Sequence, residues 1–188
     1  INIIENSDII VMQLEIPVEI VTFVAKIAKE KGKTVILDPA PAISNIPEEL
    51  FANVDIIKPN ETEIQILSGK EIKTTDDIVE AANTLINKGV KVVIVTLGKN
   101  GSLVVAKGYK KQFNSLEVHA IDTTAAGDSF TAALAKSLLD GKNIEDAIKF
   151  GHIISSIVVT KKGAQTSIPS QEEVELYIKE HGGIQWEK

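Results

Sequence analysis

The sequence predicts an α/β fold, a mostly parallel central sheet with helices on both faces, and three observations carry that expectation. Apolar runs of strand length alternate with segments of helical spacing from Ile9 to about residue 160. Strands that alternate with helices in this way pair in parallel and are buried on both faces. With 188 residues, 44% of them hydrophobic, the chain can bury roughly 70% of its unfolded surface, enough for one core and one domain.

Each element has a local reason. "IIVMQLE" at 9–15 reads as a buried strand. Pro17 then opens "VEIVTFVAKIAKEKG" as a helix that Gly32 closes. "TVILDPAPA" is a strand ending in Asp38 and a rigid proline turn, followed by a short helix near 47–52 and a strand at 55–59. Asn60 starts a helix in "NETEIQILSG". Residues 75–88, "TDDIVEAANTLINK", combine an acidic first turn, apolar spacing of three and four, and Gly89 beyond the end. "VKVVIVTLG" is the strongest strand, "KNGS" turns into "LVVAK" as an antiparallel hairpin, and a further short strand lies near 109–113. Helices are expected at 126–140, 143–160 and 170–181.

Composition removes several function classes. A net charge of −6 and the lack of a basic stripe argue against a nucleic-acid surface. No apolar run reaches the roughly 18 residues that a membrane span needs. The opening "INIIENSD" lacks the basic-then-apolar pattern of a secretory signal, so the expectation is a cytoplasmic protein. Without cysteine there is no disulfide framework and no thiolate metal site. All 20 basic residues are lysine, so no guanidinium clamp is available and an anion must be held by lysine, backbone N–H groups or metal.

Parallel sheets bind ligands at the carboxyl ends of their strands. The residues just past the predicted strands are Glu15, Asp38, Asn60 with Glu63, Thr96, Gly98 and the segment from Asp122 to Asp128. Taken singly, Glu15 and Asn60 precede helices, where a cap or dipole partner is the commoner role. In "IDTTAAGDSFTAALA", residues 121–135, small side chains at 125–127 let the backbone approach a ligand, and the first N–H groups of the helix lack intrahelical acceptors. That is a phosphate cradle without arginine. Asp128 inside its first turn is either a base for a hydroxyl attacking a γ-phosphate or an acid favoured by the helix dipole.

"DTTAAGDSF" resembles the C-terminal signature of the ribokinase-like (PfkB) carbohydrate kinases. "MQLE" with Pro17, "DPAPA", "KPNETE", "TLGKNGS" and "KKGAQTSIPSQEEVE" follow the same family's order and spacing, so the resemblance covers essentially the whole chain. It implies a three-layer α/β/α ribokinase-like fold and ATP-dependent phosphorylation of D-ribose to ribose 5-phosphate, to which "TTAAGD" and "GAQTSIP" point. The alternatives are another sugar or nucleoside kinase of the family, or a nucleotide-binding remnant.

The resemblance assigns roles to matching positions. Asp128 would be the catalytic base, and Ala125, Ala126 and Gly127 the anion hole. Glu15, Asp122 and Asp128 would face the sugar. Asn60 and Glu63, an N-x-x-E pair, would organise Mg²⁺ and the nucleotide phosphates. Thr96, Leu97, Gly98, Lys99, Asn100, Gly101 and Gly127 would line the nucleotide, with His152 near the adenine. Asp122, Thr124, Val158, Lys161, Gly163 and Ser167 would hold K⁺, several through backbone carbonyls, with the Lys161 and Lys162 side chains turned to solvent. Family members also have a large N-terminal part with further strands and a β-sheet lid that builds a homodimer. Residues 1–188 are therefore expected to be the last three-fifths of one such domain, with the N-terminal strands and lid missing and a bare sheet edge in their place.

Overall fold

Alternate residues of the strands meet one apolar core, because side chains of a strand point in turn to opposite faces. The computed structural model describes residues 1–181. They form two compact units, residues 1–98 with 102–112, and residues 99–101 with the described residues from Phe113 onward.

The first unit holds α1 (Asn2–Glu5), β1 (Ile9–Met12), α2 (Val18–Glu30), β2 (Thr34–Leu37), α3 (Glu48–Ala52), β3 (Ile56–Ile57), α4 (Glu61–Ser68), α5 (Thr75–Asn87), β4 (Val92–Thr96), β5 (Ser102–Ala106) and most of β6 (Tyr109–Phe113). The strands lie in the sheet in chain order, β1 to β6. β1 to β4 run parallel and β5 runs antiparallel to β4, with Val92 opposite Ala106 and Thr96 opposite Ser102. The mixed, mostly parallel sheet and the antiparallel return at "LVVAK" are as the sequence predicts.

Val35, Leu37, Ile57, Val93, Val95, Leu103 and Val105 join the core formed with α2 to α5. Their neighbours Ile36, Ile56, Ile94 and Val104 point the other way and are also buried, as both-sided burial requires. β3 is labelled for two residues, yet its ladder runs from Asp55, which donates to Val35 O, to Pro59, whose carbonyl accepts from Thr96 N. That matches the predicted 55–59. β1 is shorter than predicted because the chain leaves the ladder after Met12, and Leu14 N bonds instead to Ala40 O at 3.0 Å. The four-residue α1 is too short to leave a periodic signal.

At the amino ends of the strands, Asp55 accepts from Lys29 Nζ at 2.7 Å, Lys91 Nζ at 2.8 Å and Val35 N at 2.9 Å. Burial works to raise this carboxyl's pKa, and the three donors outweigh it, holding the group below the ordinary carboxylate range. One carboxylate thereby ties α2 to β2 and to the segment entering β4.

The two sheet edges differ. β6 reads Tyr-Lys-Lys-Gln-Phe, and charge blunts an edge against adding strands. β1 reads Ile-Ile-Val-Met, with Val11 45% exposed, and Ile1, Ile3, Ile16, Ile20 and Phe23 are exposed in the same unit. β1 is thus an apolar edge without the charge that blunts β6.

The second unit contains α6 (Ala126–Leu139), α7 (Ile144–Val159) and α8 (Gln171–Glu180), with α6 packed on α7 and α7 on α8. Ala133, Ile154 and Val158 form its apolar centre with Phe150 and Val174. Asn143 and Ser170 cap α7 and α8, which explains why both helices start one residue later than predicted.

The β1 edge generates a direct expectation. Val11→Lys lowers concentration-dependent association of the chain in sedimentation velocity while leaving the melting temperature within a few degrees, because the side chain is already half in water.

Candidate functional site

The polar residues form one cluster in each unit. In the first, Asn60 caps α4 reciprocally: its Oδ1 accepts from Glu63 N at 2.8 Å, and Glu63 Oε2 accepts from Asn60 N at 2.7 Å. This capping box is the helix-start role that the sequence left open. It also fixes Asn60 beside Thr96, with which it forms a parallel bridge at the carboxyl ends of β3 and β4. Among the described residues, no further partner is assigned to Glu63 Oε1 or Asn60 Nδ2.

Other first-unit positions divide. Glu15 is exposed between β1 and Pro17. Leu97 packs on the core, and Gly98, at φ +55°, opens a single helical turn over Gly98–Asn100. Asp38 faces inward: its carboxylate is 2.9 Å from Lys58 Nζ, with 6% and 5% of the two side chains exposed. An acid expected on the rim is instead half of a buried ion pair, since an unpaired charge there would cost several kcal/mol.

In the second unit, Asp122 joins segments far apart in sequence. Its Oδ1 accepts from Thr124 N at 2.9 Å and Thr124 Oγ1 at 2.6 Å, and its Oδ2 accepts from Gly163 N at 3.0 Å. The Thr124 hydroxyl, then the Gly163 and Thr124 amides, lower its pKa to about 2. Ile121 N and Asp122 N both donate to Val159 O, at 2.7 and 3.2 Å. Residues 121–124 are thereby drawn against the turn after α7, where Lys161 N bonds to Val158 O.

Ala125 follows at φ +64°, the one non-glycine left-handed residue among those described. That conformation costs about 1–2 kcal/mol for a residue with a Cβ, and such strain gathers at functional turns. It turns the chain into α6 so that Ala126, Gly127 and Asp128 are the first three helical residues. The cradle differs from expectation in one respect: Ala126 N already donates to Thr123 O at 3.2 Å. The carbonyls of the turn are held as well, Gly127 O by Thr131 Oγ1 at 3.0 Å and Ala126 O by Ser155 Oγ at 3.2 Å. Asp128 and Gly127 are exposed.

The remaining expected positions are placed as follows. Lys99 O accepts from Ser115 Oγ, and a Cβ on Gly101, at φ +89°, would sit 1.8 Å from Phe113 O, so only glycine fits where the turn re-enters the sheet. Asn100 is exposed. Lys161 is not turned freely to solvent, as expected, but pairs with Glu173 at 2.7 Å, because α8 presents that acid from its own capping box. Lys162 is exposed. Ser167 is buried, with its hydroxyl on Ala164 O. His152 is 7% exposed against the Phe130 ring, and burial lowers its pKa to about 4, so it is neutral at neutral pH.

Sequence reasoning missed Lys58 and the supports Phe130, Thr131, Gly151 and Ser155. A signal existed for Gly151: a glycine inside a helix costs about 1 kcal/mol relative to alanine, which calls for a reason.

Two metals were expected. No cluster of three acidic, histidine or cysteine side chains occurs among the described residues. Mg²⁺ that takes one or two carboxylates with water and phosphate oxygens needs no such cluster. Glu63, held by Asn60, supplies one carboxylate of the kind Mg²⁺ takes, and Asp122 brings the backbone of Thr124 and Gly163 together as a carbonyl-type K⁺ site requires.

A mostly parallel sheet with polar groups at its carboxyl rim, together with a helix entered through a left-handed alanine, defines a ribokinase-like α/β protein. Residues 2–171 match the family described as pfkB family carbohydrate kinase. The chain belongs to that family. It is 45% identical over 178 residues to a ribokinase from Haemophilus influenzae, an alignment that covers 95% of this chain and 58% of that protein. Among solved structures, ribokinase from Thermotoga maritima superposes with a TM-score of 0.86 at 45% identity, covering 95% of this chain and 59% of that one. Arabidopsis thaliana ribokinase complexed with ribose and ATP gives 0.88 at 37% identity, with 94% and 57% covered. The chain thus spans less than two thirds of the length of these relatives.

The Asp122 network predicts an acid-side effect. Because the folded-state pKa is lowered, its contribution is present above the ordinary carboxylate range and is lost as pH falls toward about 2. Asp122→Asn is therefore less stable than wild type at pH 7 in urea unfolding, and the gap narrows between roughly pH 4 and 2.

Proposed function

We propose that this chain carries the phosphate-handling and catalytic-base residues of an ATP-dependent sugar kinase whose substrate is D-ribose and whose product is ribose 5-phosphate. The observation that carries this reading is Asp128 in the first turn of α6, directly after the left-handed Ala125. A helix start offers N–H donors and a positive dipole end to an anion. A carboxylate in that same turn makes chemical sense when a neighbouring hydroxyl must lose its proton.

In the proposed reaction Asp128 accepts the proton of the sugar's primary hydroxyl as that oxygen bonds to the γ-phosphorus. The bond from phosphorus to the bridging oxygen of ADP breaks, and the electron pair leaves with ADP. The turn at Ala125, Ala126 and Gly127 holds the transferring phosphoryl oxygens, with the Ala126 amide giving up its bond to Thr123 O to join the amides of Ala125 and Gly127. Mg²⁺, when bound, supplies charge neutralisation on the phosphates. Glu63 would hold its water shell, and Asn60 is kept in place by the reciprocal cap. Glu15 and Asp122 accept hydrogen bonds from sugar hydroxyls, and residues 96–101 border the nucleotide. A K⁺ ion would be held by Asp122 and the backbone at Thr124, Val158, Lys161, Gly163 and Ser167, ordering the turn that leads to Ala125. The family identity and the ribokinase relatives support this reading. Because the chain spans 58% of a curated ribokinase, the proposal includes weak or absent turnover by the chain alone. The second reading is a nucleotide-binding remnant without catalysis.

One substitution separates the two. Asp128→Asn lowers ribose-dependent ADP release by about 10²–10⁴-fold and leaves the calorimetric affinity for Mg·ATP nearly unchanged. The assay is run on the chain and on a version lengthened to the full extent of a relative. ATP binding with no turnover in either form supports the remnant. A second measurement concerns the ion: at fixed ionic strength, replacing K⁺ by Na⁺ lowers turnover several-fold, and equal rates overturn the cation assignment.

A further inference from the structure

The start of α6 is gripped by three residues of α7. Gly151 is one: a Cβ there would lie 2.9 Å from Cδ2 and Cε2 of Phe130 and 3.1 Å from its Cγ. Only the missing side chain lets the ring lie that close to the α7 backbone. The next residue, His152, meets the same ring edge-on, with centroids 5.1 Å apart and planes at 76°. One turn on from Gly151, Ser155 Oγ lies 2.8 Å from Gly151 O and 3.2 Å from Ala126 O. A hydroxyl has a single proton, so a bond within α7 and a bond across to α6 share it. Ala126 and Phe130 are four residues apart and present one face of α6. Three α7 residues therefore meet two α6 residues over one helical turn, and one of the two is the first residue of the cradle.

We propose that Gly151, His152 and Ser155 form a seat that sets the position of the α6 N-terminus, and that His152 serves the phosphate site through Phe130 instead of touching the nucleotide. The inference rests on the reading of residues 125–128 as a phosphate cradle. All three are positioning residues. Any rotation or lift of α6 on this seat carries the amides of Ala126 and Gly127 and the Asp128 carboxylate together, and a misplacement of about 1 Å in such groups costs roughly 10²-fold in rate.

The test uses the full 188-residue chain. Titration calorimetry measures affinity for Mg·ATP and for Mg·tripolyphosphate, which lacks a base and ribose, and hydrogen exchange follows the Ala126 and Ser129 amides. These amides donate to Thr123 O and Ala125 O. In Ser155→Ala, His152→Leu and Gly151→Ala the two amides exchange about 10-fold faster, and both ligands weaken by the same factor. Adding Phe130→Leu to Gly151→Ala clears the space taken by the new methyl and returns both readouts toward wild type. If Gly151→Ala does not fold, Ser155→Ala, which removes a single oxygen, decides the seat. A His152→Leu loss confined to Mg·ATP overturns the assignment of His152. Wild-type exchange and affinity in Ser155→Ala and Gly151→Ala overturn the seat. If the wild-type chain binds neither ligand, the phosphate reading fails, and amide exchange in the variants decides the seat on its own.

Discussion

The Asp122 carboxylate holds together the part of the second unit on which the candidate chemistry depends. It accepts three hydrogen bonds, two from Thr124 and one from Gly163, and so spans 41 residues of sequence. Two local bonds shape the turn into α6, and the distant one attaches that turn to the segment between α7 and α8. Each charge-assisted bond is stronger than a neutral one, and together they keep the group ionised to about pH 2. The strained Ala125 follows three residues later. A left-handed alanine persists only where its surroundings over-determine it, and the anchored turn before it, with the Ser129 N to Ala125 O bond after it, supplies that.

The first unit solves a comparable problem with an amide and a carboxylate. The Asn60 and Glu63 box satisfies donors that any helix start leaves open, and it does so with the same two residues that the family motif assigns to metal and nucleotide. Structural and functional readings of the motif are therefore compatible: the cap uses one oxygen of each side chain and fixes both at the start of α4. Lys58, two residues earlier, has no such double role, being matched to Asp38 inside the sheet rim.

Most of the fold was legible because the signals were local. Apolar runs, Pro17, the Gly32 and Gly89 stops and the acidic first turn of α5 each act within a few residues, and every long helix lies where its period placed it. α1 was not legible, being one turn long. The individual atoms of the site were less so. Asp38 and Glu15 look alike in sequence, both acids just past a strand, and what separates them is Lys58, which the sheet brings beside Asp38 from 20 residues away. Lys161 similarly takes its partner from α8. The seat on α7 depends on helix packing, and sequence offered only one clue to it, a glycine in a helix without an evident need.

The strand order has a kinetic consequence. The strands lie in the sheet in the order in which they occur in the chain, so every parallel pair joins segments separated by a single crossover. No strand must wait for a later one to be inserted beside it, and loop-closure cost grows slowly with the length of chain between partners. Folding rates fall as the average sequence separation of contacts rises. A sheet laid down in chain order keeps that separation low, so the first unit can assemble strand by strand in the direction of synthesis, and each new strand finds its template already formed.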